Sequence, residues 1–147
     1  MKRSLSIIII AAAAIWRVAA AESAWLTDLP KAEAQAKAEN KIVLMDFTGS
    51  DWCGACIQFK KAVLDSREFE KYAAKHVVLV EVDFPSKKML PDDQVRANSN
   101  LREKYKVFGF PTLVVLDRDG KEIGRQEGYG GDGPNEFIAR LEQFKKS

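Results

Sequence analysis

Residues Lys41 to Cys56 read KIVLMDFTGSDWCGAC. Lys41 opens a short apolar run that continues to Phe47 and is interrupted only by Asp46, the pattern of a buried central strand. Thr48 to Trp52 reads as a loop, and Cys53 follows it directly. From Cys56 the apolar positions Phe59 and Val63 recur at helical spacing, with Lys60 and Lys61 facing outward. The chain thus passes from strand through loop into helix, with Cys53 at the last junction.

That junction has chemical consequences. The unsatisfied amides and the dipole at a helix start present positive potential. A thiolate placed there is stabilised, so its pKa falls below the free value of about 8.5. Cys56 lies one helical turn further on and faces back toward Cys53. Cys53 is therefore the attacking sulfur, and Cys56 is the resolving sulfur that breaks a mixed disulfide.

Other readings of the pair compete with this one. As a structural staple it is poor: closing so short a loop is worth about 1.9 kcal/mol, against about 3 for a fifteen-residue loop. A structural zinc site wants four Cys or His ligands, and the chain holds two Cys and one His. His76, at the start of a strand, reads as a surface residue. A two-coordinate Cu(I) site stays open, because soft thiolates suit that ion.

Upstream, Leu29 to Asn40 (LPKAEAQAKAEN) is bracketed as a helix by Pro30 and Asn40. Downstream, Asp65 followed by Glu68 has the capping-box pattern and predicts a helical stretch to Lys75. Val77 to Phe84 (VVLVEVDF) reads as a second buried strand, and Pro85 to Pro91 as a basic loop. Asp92 to Lys106 can form a helix, although Asn98-Ser99-Asn100 is a weak helix-forming section. The strand Thr112 to Leu116 and the turn at Asp119-Gly120 predict that Glu122 to Glu127 pairs back antiparallel. Pro134 suits the first turn of a last helix through Phe144. Strands joined by helices imply parallel pairing early in the chain, and the late hairpin adds an antiparallel edge. Gly128 to Gly133 (GYGGDG) spells G-x-G-x-x-G, but a dinucleotide site needs a further strand bearing an acid about 20 residues on. Here the glycines serve a turn and a helix entry.

The chain of 147 residues suits one domain, and 46% hydrophobic with 30% charged residues is an ordinary globular balance. Residues 1–21 read as an export signal: Lys2 and Arg3, an apolar stretch from Leu5 to Ile15, then Ala19-Ala20-Ala21 before Glu22. The stretch falls well short of the roughly 20 residues that span a bilayer; the alternative is a retained N-terminal anchor. Without Lys2, Arg3 and Arg17, the 23 basic residues fall to 20, against 21 acidic ones. A mature domain from residue 22 to 147 then carries about −1, which calls for neither nucleic acid nor a membrane surface as partner. Outside the cytosol a Cys-x-x-Cys disulfide can persist.

From about Leu26 to Phe144 the sequence resembles the thioredoxin superfamily, and its DFTGSDWC segment resembles the exported bacterial branch. The resemblance rests on Asp46, Trp52-Cys53-Gly54-Ala55-Cys56, Gly109-Phe110-Pro111-Thr112, and the Asp119-Gly120 hairpin followed by Gly128. It implies an α/β fold, a mixed sheet of about four to five strands flanked by helices. It also implies a redox-active Cys53–Cys56 disulfide in a thiol–disulfide oxidoreductase of the protein-disulfide reductase type, with no organic cofactor and no metal. Pro111 is expected to be cis and packed against the sulfurs, with the carbonyl of Phe110 open to substrate backbone. Asp46, whose pKa should rise in an apolar strand, is expected behind Cys56 as the manager of its proton; the plainer alternative is a strand-end carboxylate in water. Trp52 and Tyr129 are candidate substrate contacts.

The sequence also departs from the family pattern. Gly-Ala replaces Gly-Pro between the cysteines, and the His that strongly oxidising relatives place there is absent, which favours a reducing role. The loop before Cys53 is one residue longer than in small thioredoxins. VVLVEVDF lacks the lysine that many thioredoxins place near the buried acid. The implied partners are exported proteins with disulfides or thiols and an upstream thiol electron donor, in the periplasm or outside the cell, with no stable membrane insertion after signal cleavage. An oxidase or isomerase of the same fold, or a non-catalytic thiol-based binding module or Cu(I) carrier, remains as the alternative.

Overall fold

The structure is a computed structural model and describes residues 24–146; the expected export signal lies outside them. Strand β1 (Ile42–Thr48) is buried along its whole length because it is flanked by strands on both sides and covered on both faces. Strand β2 (Val77–Asp83) runs parallel to it, with Asp46 opposite Glu81 and Thr48 opposite Asp83. Strand β3 (Thr112–Leu116) lies antiparallel on the other side of β1, and β4 (Glu122–Glu127) pairs antiparallel with β3. The order is β2-β1-β3-β4, a mixed four-stranded sheet. Leu26 adds a single parallel bridge to Val80 on the outer edge of β2.

The two-residue period of a strand divides the core. Val43, Met45 and Phe47 with Val78, Val80 and Val82 face one side, where they meet Leu29, Ala32 and Ala36 of helix α1 (Leu29–Glu39). Ile42 and Leu44 with Val77 and Leu79 face the other, beneath helices α2 (Gly54–Phe59), α3 (Arg67–His76) and α5 (Pro134–Phe144). By the same alternation Asp46, Glu81 and Asp83 belong to this second face. Helix α4 (Asp92–Lys104) contacts β2 near the loop that follows it.

Caps set the helix ends. The Asp28 carboxylate accepts from the Lys31 amide, and Asn40 closes α1 in the left-handed conformation at φ 54°. The cap of α3 is Ser66, not Asp65: its hydroxyl oxygen accepts from the Phe69 amide, while Asp65 pairs with Lys60. The cause is a π-turn over Lys60–Leu64 that continues α2 and delays the next helix by one residue. Helix α3 also runs one residue past Lys75, and His76 ends a helix instead of opening a strand, exposed and with its ring tilted against Tyr72. Helix α4 stops at Lys104, short of Lys106, which takes a positive φ of 52°. Its weak section is held by Asn98, buried, whose amide donates to the Asp83 carbonyl at 2.8 Å. Gly128, at φ 76°, donates its amide to the Pro111 carbonyl at 2.8 Å, which extends the β3–β4 ladder by one bond as the chain turns away. Among the described residues no helix is long and apolar enough to cross a membrane.

Candidate active site

Cys53 is the N-cap of α2, and its sulfur accepts the Cys56 amide at 3.2 Å. The two cysteines are disulfide-bonded with Cα atoms 5.2 Å apart. Gly54 and Ala55 between them are exposed, whereas Cys53 and Cys56 are 7% and 3% exposed. The pair therefore sits at the rim, Cys53 outward of Cys56, with an amide already aimed at the outer sulfur. Behind it Phe59, Val63 and Leu64 anchor the helix in the core.

Asp46 is 5% exposed, and its Oδ1 is buried without a hydrogen-bond partner. It shares a cavity of about 350 Å³ with Cys56, Lys60, Glu81, Thr48 and Ser50. Burial pushes its carboxyl up to about 7; the charges of Glu81 and Asp83 push the same way, and Lys60 opposes them. The alternative of a strand-end carboxylate in water is thereby set aside: β1 continues to Thr48, and the Asp46 side chain is buried.

The loop before Cys53 is tied down by two carboxylates. Asp83 accepts from the Ser50 amide at 2.9 Å and its hydroxyl at 2.6 Å, and pairs with Lys88 at 2.7 Å. Asp51 accepts the amides of Ser86, Lys87 and Lys88 at 2.7–3.0 Å, the Ser86 amide above all holding its carboxyl down at about 2. The extra loop residue and the basic segment from Pro85 thus form one structure, with the segment wrapped around Asp51. Nothing in the local sequence reveals these long-range knots. The alternation of VVLVEVDF does contain the signal that Glu81 and Asp83 share a face.

Trp52 is half exposed, donates its indole N–H to the Phe84 carbonyl at 2.8 Å, and meets Phe110 edge-on with ring centroids 6.1 Å apart. Its ring lies over Gly49, where a Cβ would come within 2.5 Å of the indole. Phe110 stacks on Phe84 at 5.1 Å, and the Arg102 guanidinium lies 5.3 Å from its ring. The Phe110–Pro111 peptide is cis. The Trp52–Phe110 contact brings this turn to the Cys53 side of the molecule. Tyr129 bears on α2 from elsewhere: its ring packs on Phe59 at 5.1 Å, and its hydroxyl donates to the Asp132 carbonyl.

Comparison with known proteins agrees with this geometry. The Thioredoxin-like domain family matches residues 29–145. The chain is 37% identical over 129 residues to the disulfide bond reductase DsbH of Chlamydia pneumoniae, covering 88% of this chain and 76% of that protein. It is 31% identical over 108 residues to the thioredoxin-related protein DsbJ of the same organism, covering 74% of this chain but 31% of the relative's length. The solved structure of a DsbH oxidoreductase superposes with a TM-score of 0.79 at 34% identity, covering 99% of this chain and 95% of the other. The chain belongs to the thioredoxin-like domain family and is a thiol–disulfide oxidoreductase with its disulfide in a Cys-x-x-Cys motif.

Proposed function

We propose that this oxidoreductase works as a reductase of exported proteins, with Cys53 as nucleophile, Cys56 as resolving thiol and Asp46 as the group that takes the Cys56 proton. The carrying observation is the pairing of a capped, rim-side Cys53 with an unpartnered buried carboxyl in the cavity that Cys56 lines. In the reaction the Cys53 thiolate attacks a substrate disulfide, and one substrate sulfur leaves as thiolate. Cys56 gives its proton to Asp46 and attacks the Cys53 sulfur. The bond from Cys53 to substrate breaks, its electron pair leaves on the second substrate sulfur, and the Cys53–Cys56 disulfide remains. Two substrate sulfurs are reduced and two enzyme sulfurs oxidised, so an upstream dithiol must recharge the pair.

Trp52, Phe110 and Pro111 form the substrate-facing rim in this reading, and Tyr129 supports it by bracing α2 through Phe59. The missing His between the cysteines supports the reducing direction, as does the name of the DsbH relative. Residues 1–21 act as the export signal, which places the mature domain in the periplasm or outside the cell.

The test is catalysis of disulfide reduction in a model protein, with dithiothreitol as electron source. Wild type is expected to accelerate the reaction, and Cys53→Ser is expected to return it to the uncatalysed rate. Equal rates with the two proteins would overturn the reading and move the Cu(I) carrier forward.

A further inference from the structure

Beside the buried Asp46 of β1, strand β2 carries a second carboxyl, Glu81. Parallel register sets Glu81 directly across from Asp46, and neighbouring strands lie about 4.8 Å apart. Both side chains face α2, and both line the cavity that also holds Cys56. Asp46 is buried, with no hydrogen-bond partner for Oδ1, whereas Glu81 is half-buried and Lys60 is exposed. The cavity therefore runs from Asp46 past Glu81 toward solvent. This space is the polar route beside Asp46, because its other neighbour in register is the apolar Leu113.

We propose that Glu81 is a positioning residue for the exchange reaction, acting through Asp46. It relays the proton between Asp46 and water at the cavity mouth, and its like charge sets how firmly Asp46 holds that proton. The proposal rests on the exchange reading above.

The electrostatic surroundings agree. From β2, Glu81 and Asp83 both raise Asp46; from the π-turn after α2, Lys60 lowers it. Burial raises Glu81 as well, with Asp83 adding to the rise and Lys88 and Lys60 opposing it. The remaining charged groups lining the cavity are Lys61 and Asp65; Asp65 is engaged with Lys60. Two carboxyls facing each other in one partly closed space resist simultaneous ionisation, so the ionised Glu81 makes Asp46 hold its proton more firmly.

The proton path balances without a further reactant. Cys56 S–H gives its proton to the Asp46 carboxylate as its sulfur attacks Cys53. Asp46 passes a proton to Glu81, and Glu81 releases it to water, restoring both carboxylates for the next turnover.

The experiment is the pH profile, from pH 5 to 9, of model-disulfide reduction by full-length wild type, Glu81→Gln and Glu81→Asp. Glu81→Gln removes the like charge, so Asp46 ionises more easily. Its inflection is expected to fall by half a unit or more, with a lower plateau because the relay is lost. Glu81→Asp keeps a carboxyl and is expected to hold the wild-type inflection. Superimposed Glu81→Gln and wild-type profiles would overturn the proposal, as would a uniform loss of rate with an unmoved inflection, which marks a purely structural role. Inactive wild type would instead defeat the exchange reading, and this proposal with it.

Discussion

Cys56→Ser is expected to accumulate covalent mixed disulfides with substrate proteins, and Cys53→Ser is expected to accumulate none. The asymmetry follows from placement. Cys53 caps α2 at the rim, while Cys56 lies a turn deeper, 3% exposed and beside the Asp46 cavity. In the proposed mechanism a substrate disulfide reacts at Cys53 first. In the wild type the mixed disulfide is expected to be short-lived, because the second sulfur is held within bonding reach, with the Cα atoms 5.2 Å apart. Well-oriented intramolecular groups act at effective molarities of about 10⁵ M or more. Serine at position 56 fills nearly the same volume but cannot attack, so the intermediate waits for an external thiol. Its lifetime is expected to rise by at least about a thousandfold. Non-reducing gels of cells expressing each variant read the result. Adducts on both variants, or on neither, would contradict the assigned roles.

The second large effect belongs to Asp46. Asp46→Asn is expected to stabilise the oxidised protein by roughly 4 kcal/mol at pH 8.5 and by almost nothing near pH 4. Burial holds this carboxyl at about 7 in the folded chain, against 3.8 for an unburied Asp. Between those values the native state keeps a proton that the unfolded state has lost, so stability falls as pH rises through that window. Above it the native protein carries an ionised, buried carboxylate without a partner for Oδ1, and the penalty is complete. Asparagine cannot ionise and escapes the penalty. Urea unfolding of the two proteins at both pH values decides the matter. An equal gain at both pH values would mean a packing effect; a loss at pH 8.5 would mean that the charge is satisfied in a way that contradicts its burial.

The sequence made local features legible because their causes are local. The apolar run through Phe47 produced a central strand, Asp119-Gly120 a hairpin, and Asn40 a helix end, each within a few residues of its signal. The Cys53 cap and the carboxyl at 46 were legible for the same reason: both follow from the strand–loop–helix passage. Strand order was not. That β3 lies beside β1, antiparallel, depends on contacts across more than sixty residues. The ties of Asp51 to Ser86–Lys88 and of Ser50 to Asp83 span 33 to 37 residues, and a single chain leaves no local trace of them. The shift of the α3 cap from Asp65 to Ser66 has another cause, since the π-turn spends one extra residue that a regular 3.6-residue period does not anticipate. The alternation of VVLVEVDF places Glu81 and Asp83 on one face, but only the register sets Glu81 against Asp46.

The most direct test of the central claim is the reduction potential of the Cys53–Cys56 pair, measured by equilibrating the purified protein with a thiol–disulfide buffer. The account predicts a value near about −270 mV, in the range of thioredoxin, where the dithiol reduces substrate disulfides. A value near about −120 mV, in the range of a strong periplasmic oxidant, would contradict it and make the protein a disulfide donor.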